Sequence, residues 1–374
     1  MLSIGWRNLR RDKARTAIAV LGVVFAVVLV TVEVGMMLGM MHNSSVLIDH
    51  SSADLWISGA GVKTFDFAQP FPLRKKDRVM AIPGVEAIER FDVSFGAAKL
   101  NDGSEANVQV IALDERGALA ATLPLASGSL NDLHCQDTII IDEADVARLG
   151  VGLGDSLELM GHRARVCGIT RGMRAFTTSP FIFTSLHNGP RYGFRNSAES
   201  AFYLLVKTTD GADPTAVKAR INSSITGIEA RTREEFSWMT RSYWLIQTGI
   251  GMAFLGAALL GLLVGGVIVS QTLYTMTLEK LPEYGLLKAL GASMPELCHS
   301  VLQQSFVCGA AGLAAGLLIS IAIASAASRA GTAIEITPLL ILLTSGLIAI
   351  LCAGASLLSI RRLWTLEPAS VFRT

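Results

Sequence analysis

Four long apolar stretches constrain this 374-residue chain more than any other feature, because each is long enough to demand a lipid bilayer around it. A crossing takes roughly 20 apolar residues. The first stretch runs from Thr16 to Met41 with Glu33 as its only charge, and the second, Ser242 to Leu278, carries none. A third runs from Ser300 to Ser328 and a fourth from Ile336 to Ile360, where Pro338 suits a first helical turn that has no use for its missing N–H. As one helix the second stretch would measure about 55 Å at 1.5 Å per residue. It is therefore expected to project from at least one membrane face.

Charge is segregated in the same way. Of 32 basic and 31 acidic residues, 21 and 24 fall between His42 and Arg241, which marks 42–241 as a soluble domain inserted between spans one and two. Residues 1–15 hold five basic side chains, the 279–299 loop holds Lys280 and Lys288, and the 361–374 tail holds Arg361, Arg362 and Arg373. The loop between spans three and four offers only Arg329. The positive-inside rule then predicts both termini and the 279–299 loop to be cytoplasmic, with the long domain outside. Leu2, Trp6 and Leu9 with Arg7, Arg10 and Arg11 predict an interfacial helix over 1–15. A cleaved signal peptide would have a core of about 7–15 residues and a small-residue site. This stretch is longer and ends in Met40, Met41 and His42, so a retained span is expected.

The inserted domain reads as mixed α and β. Runs at Ala53–Ile57, Val85–Lys99, Asn107–Leu113, Thr138–Ile141, Ser156–Met160, Arg163–Ile169, Phe181–Phe183 and Ala201–Lys207 predict strands. Arg74–Ile82, Glu143–Leu149, Pro214–Ser223 and the segment from Arg233 onward predict helices. The last is expected to continue unbroken into the second span, as a mechanical link between domain and membrane.

Between spans two and three lies a short element with its own chemistry. Pro282 and Glu283 suit a helix start, and Gly291 a left-handed stop. Tyr284, Leu287 and Leu290, with Leu286 beside them, form an apolar stripe. Ser293 and Glu296 then read as a capping box that starts the next helix. From the residues alone this is either a plain connector or a lever that carries force.

The segment Glu283, Gly285, Ala289, Gly291 and Ala292 fits the pattern E-x-G-x-x-x-A-x-G-A and resembles the cytoplasmic coupling loop of FtsX/MacB-like ABC permeases. Trp6 to Thr16 resembles that family's "RNLxRxKxR" approach to the first span, and Arg361 to Arg373 its "RRxxxxxPxxxLR" exit from the fourth. The segment Ala53–Ser58 looks closest to the DevC-type exporter permeases. The resemblance implies a membrane α-helical protein with four transmembrane helices and an extracytoplasmic α+β domain, with residues 43–120 and 200–241 as a membrane-proximal lobe and 121–199 as a distal β-rich lobe. It also implies an ATPase-coupling role for Glu283, Tyr284, Gly285, Leu287, Leu290 and Gly291. The partners implied are an ABC ATPase subunit, a second copy in a homodimer, membrane lipid, a HlyD-like membrane fusion protein and a TolC-like outer-membrane channel. The function expected is export by mechanotransmission from a bacterial inner membrane; the alternative is an FtsX-like signalling permease that regulates an extracytoplasmic hydrolase or sensor. No nucleic-acid partner is expected.

In the third span Cys308, Gly312, Gly316, Ser320, Ala324 and Ser328 recur every four residues, a stripe that admits another helix closely. Ala253, Ala257, Gly261 and Gly265 repeat this less strictly in the second. Such a stripe packs either within the subunit or at a dimer seam, which the resemblance favours. Phosphate-loop, H-E-x-x-H, G-x-S-x-G and C-x-x-C motifs are missing, so no catalytic residues, no metal and no directly bound cofactor are expected; ATP acts through the partner. Glu33, Met36, Met37, Met40, Met41 and His42 form either a soft-ligand cluster able to hold haem or a soft metal, or a flexible Met-rich face. Cys135 and Cys167 fall outside the spans and could oxidise, but spacing says nothing of their distance.

Overall fold

The structure, a computed structural model, describes residues 12–117, 122–176, 179–194, 199–329 and 332–364. Most of the expected 1–15 helix and most of the tail lie outside them. Chain order begins with α1 (Lys13–His50), β1 (Leu55–Gly59), β2 (Phe71–Pro72), α2 (Lys75–Met80), β3 (Val85–Lys99), β4 (Glu105–Leu113), β5 (Leu125–Gly128) and β6 (Thr138–Asp142). It continues through α3 (Val146–Leu149), β7 (Ser156–Leu159), β8 (His162–Thr170), β9 (Phe181–Ser185), β10 (Ser200–Ala201), β11 (Tyr203–Thr208), α4 (Pro214–Ser224) and β12 (Ile228–Thr232). The helices α5 (Arg233–Ser242), α6 (Ile250–Glu279), α7 (Leu281–Ala289), α8 (Met294–Arg329) and α9 (Pro338–Trp364) complete it.

Helices α1, α6, α8 and α9 are long and apolar enough to cross a membrane. The first overruns the expected boundary at Met41 and ends at His50. Its extra turns are polar but self-satisfied: the Ser44 hydroxyl donates to the Met41 carbonyl at 2.9 Å, and Ser45 donates to Asp49 at 2.7 Å. Arg241 clamps the same turns, donating to Ser45 at 2.7 Å and pairing with Asp49 at 2.5 Å. Helix α8 starts at Met294, where the Ser293–Glu296 capping box places it, six residues before the apolar stretch begins at Ser300.

The second span departs further from expectation. Helix α5 does not run unbroken into α6: Tyr243–Gln247 form a π-helical turn, and Gly249 takes a left-handed φ of 76°. A π-turn puts one extra residue in the ladder, and a left-handed residue ends it. The 242–278 stretch is thus two pieces, and α6 is 30 residues long.

In the inserted domain ten strands join one sheet in the order β12-β1-β11-β3-β4-β9-β6-β8-β5, with β7 bridging β3 and β8. Alternation of side chains sorts its interior. Trp56, Phe91, Val93, Ile111, Ile140, Phe183, Tyr203 and Leu205 all face one continuous core, closed by Phe236 from α5. The opposite face divides in two. Val108, Val110, Ile139, Ile141 and Ile182 build one half, while Leu55, Ile57, Leu204 and Val206 pack with Val217 and Ile221 of α4 in the other. The two expected lobes therefore share a sheet and a core on one face and separate only on the other. Parallel pairing of β9 with β4, from Gln109↔Phe181 to Leu113↔Ser185, makes that join.

Two predicted elements changed shape, and one strand was not expected. Glu143–Asp145 form a 3₁₀ turn, which leaves α3 only four residues. The single strand expected over 201–207 splits at Phe202 into β10 and β11, because the Phe202 N–H turns to the buried Asp92 carboxylate at 3.0 Å. Strand β12, too short and too polar to stand out, pairs with β1 from Leu55↔Thr232 to Gly59↔Ile228.

Candidate functional site

The helix α7 begins with Pro282 in its first turn and Glu283 beside it, and its end is left-handed at Gly291, where φ is 97°. The Gly291 N–H donates to the Lys288 carbonyl at 3.1 Å and the Ala292 N–H to that of Leu287 at 2.9 Å, so the last carbonyls are satisfied. The next helix starts as its sequence asks: the Glu296 carboxylate accepts the Ser293 N–H at 2.9 Å.

Which face of α7 is free differs from the expectation. Tyr284 is buried against Leu297, Val301 and Ile360, with Leu287 partly buried on the same cluster. The Tyr284 hydroxyl accepts from Gln304 at 3.3 Å in the interior. Leu286 and Leu290 are instead 52% and 76% exposed, and Glu283 points outward with them. The expected stripe Tyr284–Leu287–Leu290 thus splits: its first two members pack inward, while Leu290 pairs at i,i+4 spacing with Leu286. A helix offers two such rows, and sequence alone does not say which one its own neighbours cover. Gly285 is buried beside Tyr284. A cavity of about 40 Å³ lies between α7 and the start of α8, lined by Tyr284, Leu287, Ala292 and Leu297.

An unforeseen contact anchors this corner. Arg15, at the start of α1, forms an ion pair with Glu279, the last residue of α6, and a second with Asp12 at 3.2 Å. Two charges 264 residues apart carry no sequence signal of their pairing.

The small-residue stripe packs within the helical unit. A Cβ on Gly312 would come 2.5 Å from Val23 Cβ, and one on Gly316 2.7 Å from Val27 Cβ. Ser320 is buried and donates to the Gly316 carbonyl at 2.9 Å. Gly312 and Gly316 therefore seat α8 on α1, the within-subunit packing that was one of the two readings of the stripe. The second-span stripe does the same, Gly265 against Ala26 and Gly261 against Leu29. Two turns nearer the start of α8, Ser305 donates to the Cys352 carbonyl at 2.8 Å.

Glu33, Met37 and Met41 share one row of α1 and are half-buried, while His42 is exposed and lies about 100° around the helix from Met41. The four do not converge as a set. Among the described residues no group of three or more His, Cys, Asp or Glu is placed to hold a metal.

The π-turn holds a second constellation. The Trp244 indole N–H donates at 2.9 Å to Asp66, a carboxylate 7% exposed, and Thr64 donates to it at 3.4 Å. Burial raises the Asp66 pKa, against the lowering effect of these bonds. Phe67 packs on Tyr243 and Trp244, and Phe176 meets Trp244 edge-on at 4.4 Å. The π-turn is thereby tied to the domain by one hydrogen bond and three ring contacts from Phe67 and Phe176.

Comparison with known proteins agrees with this architecture. Residues 16–224 match the family model of the MacB-like periplasmic core domain, and residues 255–368 that of the FtsX-like permease C-terminal domain. The chain belongs to the FtsX/MacB-like ABC transporter permeases. In that family these domains are transmembrane components and not catalytic themselves, and a partner ATPase subunit is implied. The periplasmic region of MacB from Actinobacillus actinomycetemcomitans is similar at 11% identity, over 51% of this chain and 94% of that one, with a TM-score of 0.39. The extracellular domain of YknZ, a noncanonic ABC-type transporter from Gram-positive bacteria, is similar at 12% identity, over 48% and 98%, with a TM-score of 0.36. No curated protein matches.

Proposed function

We propose that this permease works by mechanotransmission, as a homodimer in the inner membrane of a bacterium, with both termini and α7 cytoplasmic. A separate ATPase closes on ATP and moves α7; α6 and α8 follow, and the inserted domain changes shape outside, expelling a substrate toward a HlyD-like adaptor and a TolC-like channel. The DevC-type likeness of Ala53–Ser58 points the same way. One observation carries the reading. On α7 one row of apolar side chains is buried in the chain's own core while Leu286 and Leu290 are left outward on a capped, closed helix end.

A helix of about ten residues is marginal alone in water, so the inward row fixes α7 and the outward row is available to a partner. Burying one large apolar side chain contributes roughly 1.5–3 kcal/mol, and losing two weakens binding at least tenfold, about 1.4 kcal/mol per decade. Leu286→Asp with Leu290→Asp is therefore expected to leave the permease folded and inserted while reducing co-purification of the ATPase and permease-stimulated ATP turnover in lipid at least tenfold. Unchanged binding and turnover would remove α7 as the coupling element. Leu287→Asp is the contrasting variant, expected to disturb the Tyr284 cluster and the fold of the corner itself.

A further inference from the structure

Two cysteines of the inserted domain are unused by the proposed function, and both border one short turn. Residues Leu130–His134 form a 3₁₀ turn capped by Ser129, and Cys135 follows it, exposed. That turn opens on Cys167: the Ser129 N–H donates to the Cys167 carbonyl at 3.4 Å. It closes on Cys135, whose carbonyl accepts from the Thr138 hydroxyl at 2.8 Å and from the Asn188 amide at 3.0 Å. Thr138 also lies in β6 one residue from Ile139, whose β8 partner is Val166, so the residue that holds Cys135 stands beside the strand segment that carries Cys167. Register explains why Cys167 stands there. Strand β6 pairs Ile139 with Val166 and Ile140 with Gly168, which leaves Cys167 as the extra residue of a bulge. Its half-buried side chain lies against the core that also takes Leu133 from the middle of the turn.

We propose that Cys135 and Cys167 are a disulfide-forming pair that staples the 129–135 turn to the bulge of β8. The oxidant is an external disulfide, such as glutathione disulfide or that of a dithiol oxidase. Exposed Cys135 reacts first: its thiolate attacks one sulfur of the oxidant and releases one thiolate, leaving a mixed disulfide. Cys167 then displaces the second thiolate from Cys135; two protein thiols lose two protons and two electrons in all, and one oxidant disulfide becomes two thiols. Burial, with Asp132 and Cys135 nearby, pushes the Cys167 thiol up to about 11, which makes this second displacement the slow step. Occurrence in the cell rests on the outward placement of the domain proposed above. The experiment does not.

Purified full-length protein is incubated with glutathione disulfide, alkylated while folded and then after unfolding, and mapped by mass spectrometry. The expected result is a linked Cys135–Cys167 peptide, reversed by dithiothreitol, with Cys298, Cys308 and Cys352 unlinked. In Cys167→Ser the glutathione adduct should persist on Cys135, and in Cys135→Ser no adduct should form on Cys167 at the same rate. Oxidation should also raise the unfolding temperature of the domain by roughly 5 °C. Stable glutathionylation of Cys135 in the unmutated protein without a linked peptide, or both thiols remaining free, would overturn the pairing.

Discussion

The helical unit and the inserted domain solve the same packing problem by opposite means. In the helical unit the contacts are made where side chains are missing: Gly312, Gly316, Gly261 and Gly265 let backbone approach backbone, and a single added carbon would meet a neighbour at 2.5–2.7 Å. The domain is held where side chains are largest. Trp56 stands within 5.4–6.2 Å of the rings of Phe65, Phe91, Tyr203 and Phe236, all of them buried. The solvent explains the contrast. In water a large ring gains by leaving it, whereas lipid is as apolar as leucine, so helices in it associate through close van der Waals fit. Removing volume should therefore be the severe change in one unit, and adding volume in the other.

The largest effect is expected from Trp56→Ala. Deleting a fully buried aromatic costs about 3–5 kcal/mol, and this one also takes an indole N–H that donates to Ser51 at 3.0 Å. Denaturation followed by the domain's aromatic fluorescence should show the loss, with the four long helices still inserted. A cost below about 1 kcal/mol would mean that the aromatic cluster does not hold the sheet's common core.

Next in size is Gly312→Leu, for which overpacking costs about 1–3 kcal/mol. Val23→Ala should recover part of it, because Val23 is what the new side chain meets. Leu318→Ile, at a side chain 69% exposed on the same helix, should be near neutral. The sharpest break would be a Gly312→Leu protein that is stable as a monomer but fails to self-associate, since that would return the stripe to a dimer seam.

Legibility in the sequence followed the same divide. Strand β3 lies at Val85–Lys99 as its alternation requires, and α4 begins at Pro214 because Asp213 caps it and proline is tolerated there. Those signals are local. Helix α7 was legible in its caps, Pro282, Gly291 and the Ser293–Glu296 pair, for the same reason. Its outward face was not, because choosing between the Tyr284–Leu287 row and the Leu286–Leu290 row depends on α8 and α9, far along the chain. Nor was the break at Gly249: one glycine in an apolar stretch is common in a membrane helix, and the aromatic anchors that hold the π-turn, Phe67 and Phe176, come from distant loops.

The smallest effect separates the two units by pH. The domain keeps ionisable groups away from full solvent contact, and at half-buried Asp145, one residue before α3, burial and then the nearby Asp142 charge raise the pKa from 3.8 to about 6. Asp142 itself is fully buried and accepts from the Thr170 hydroxyl at 3.1 Å and the Met173 N–H at 2.8 Å. A carboxyl raised on folding binds its proton more tightly in the folded state. Its contribution is complete below pH 3.8 and is lost as pH rises through about 6. One pKa unit corresponds to 1.36 kcal/mol; with discount for partial exposure, the loss should be on the order of 1–2 kcal/mol. Because other carboxylates of the domain titrate with the opposite sign, the measurement is a difference: the stability of Asp145→Asn minus that of the unmutated protein, by denaturation at pH 4, 5, 6 and 7. The asparagine side chain does not titrate, so this difference should grow with pH and level off above the folded pKa. Unfolding of the helical unit, followed by a probe on α8, should not follow it. A flat difference would show that Asp145 is solvated, and an equal pH response from α8 would show that the two units do not unfold separately.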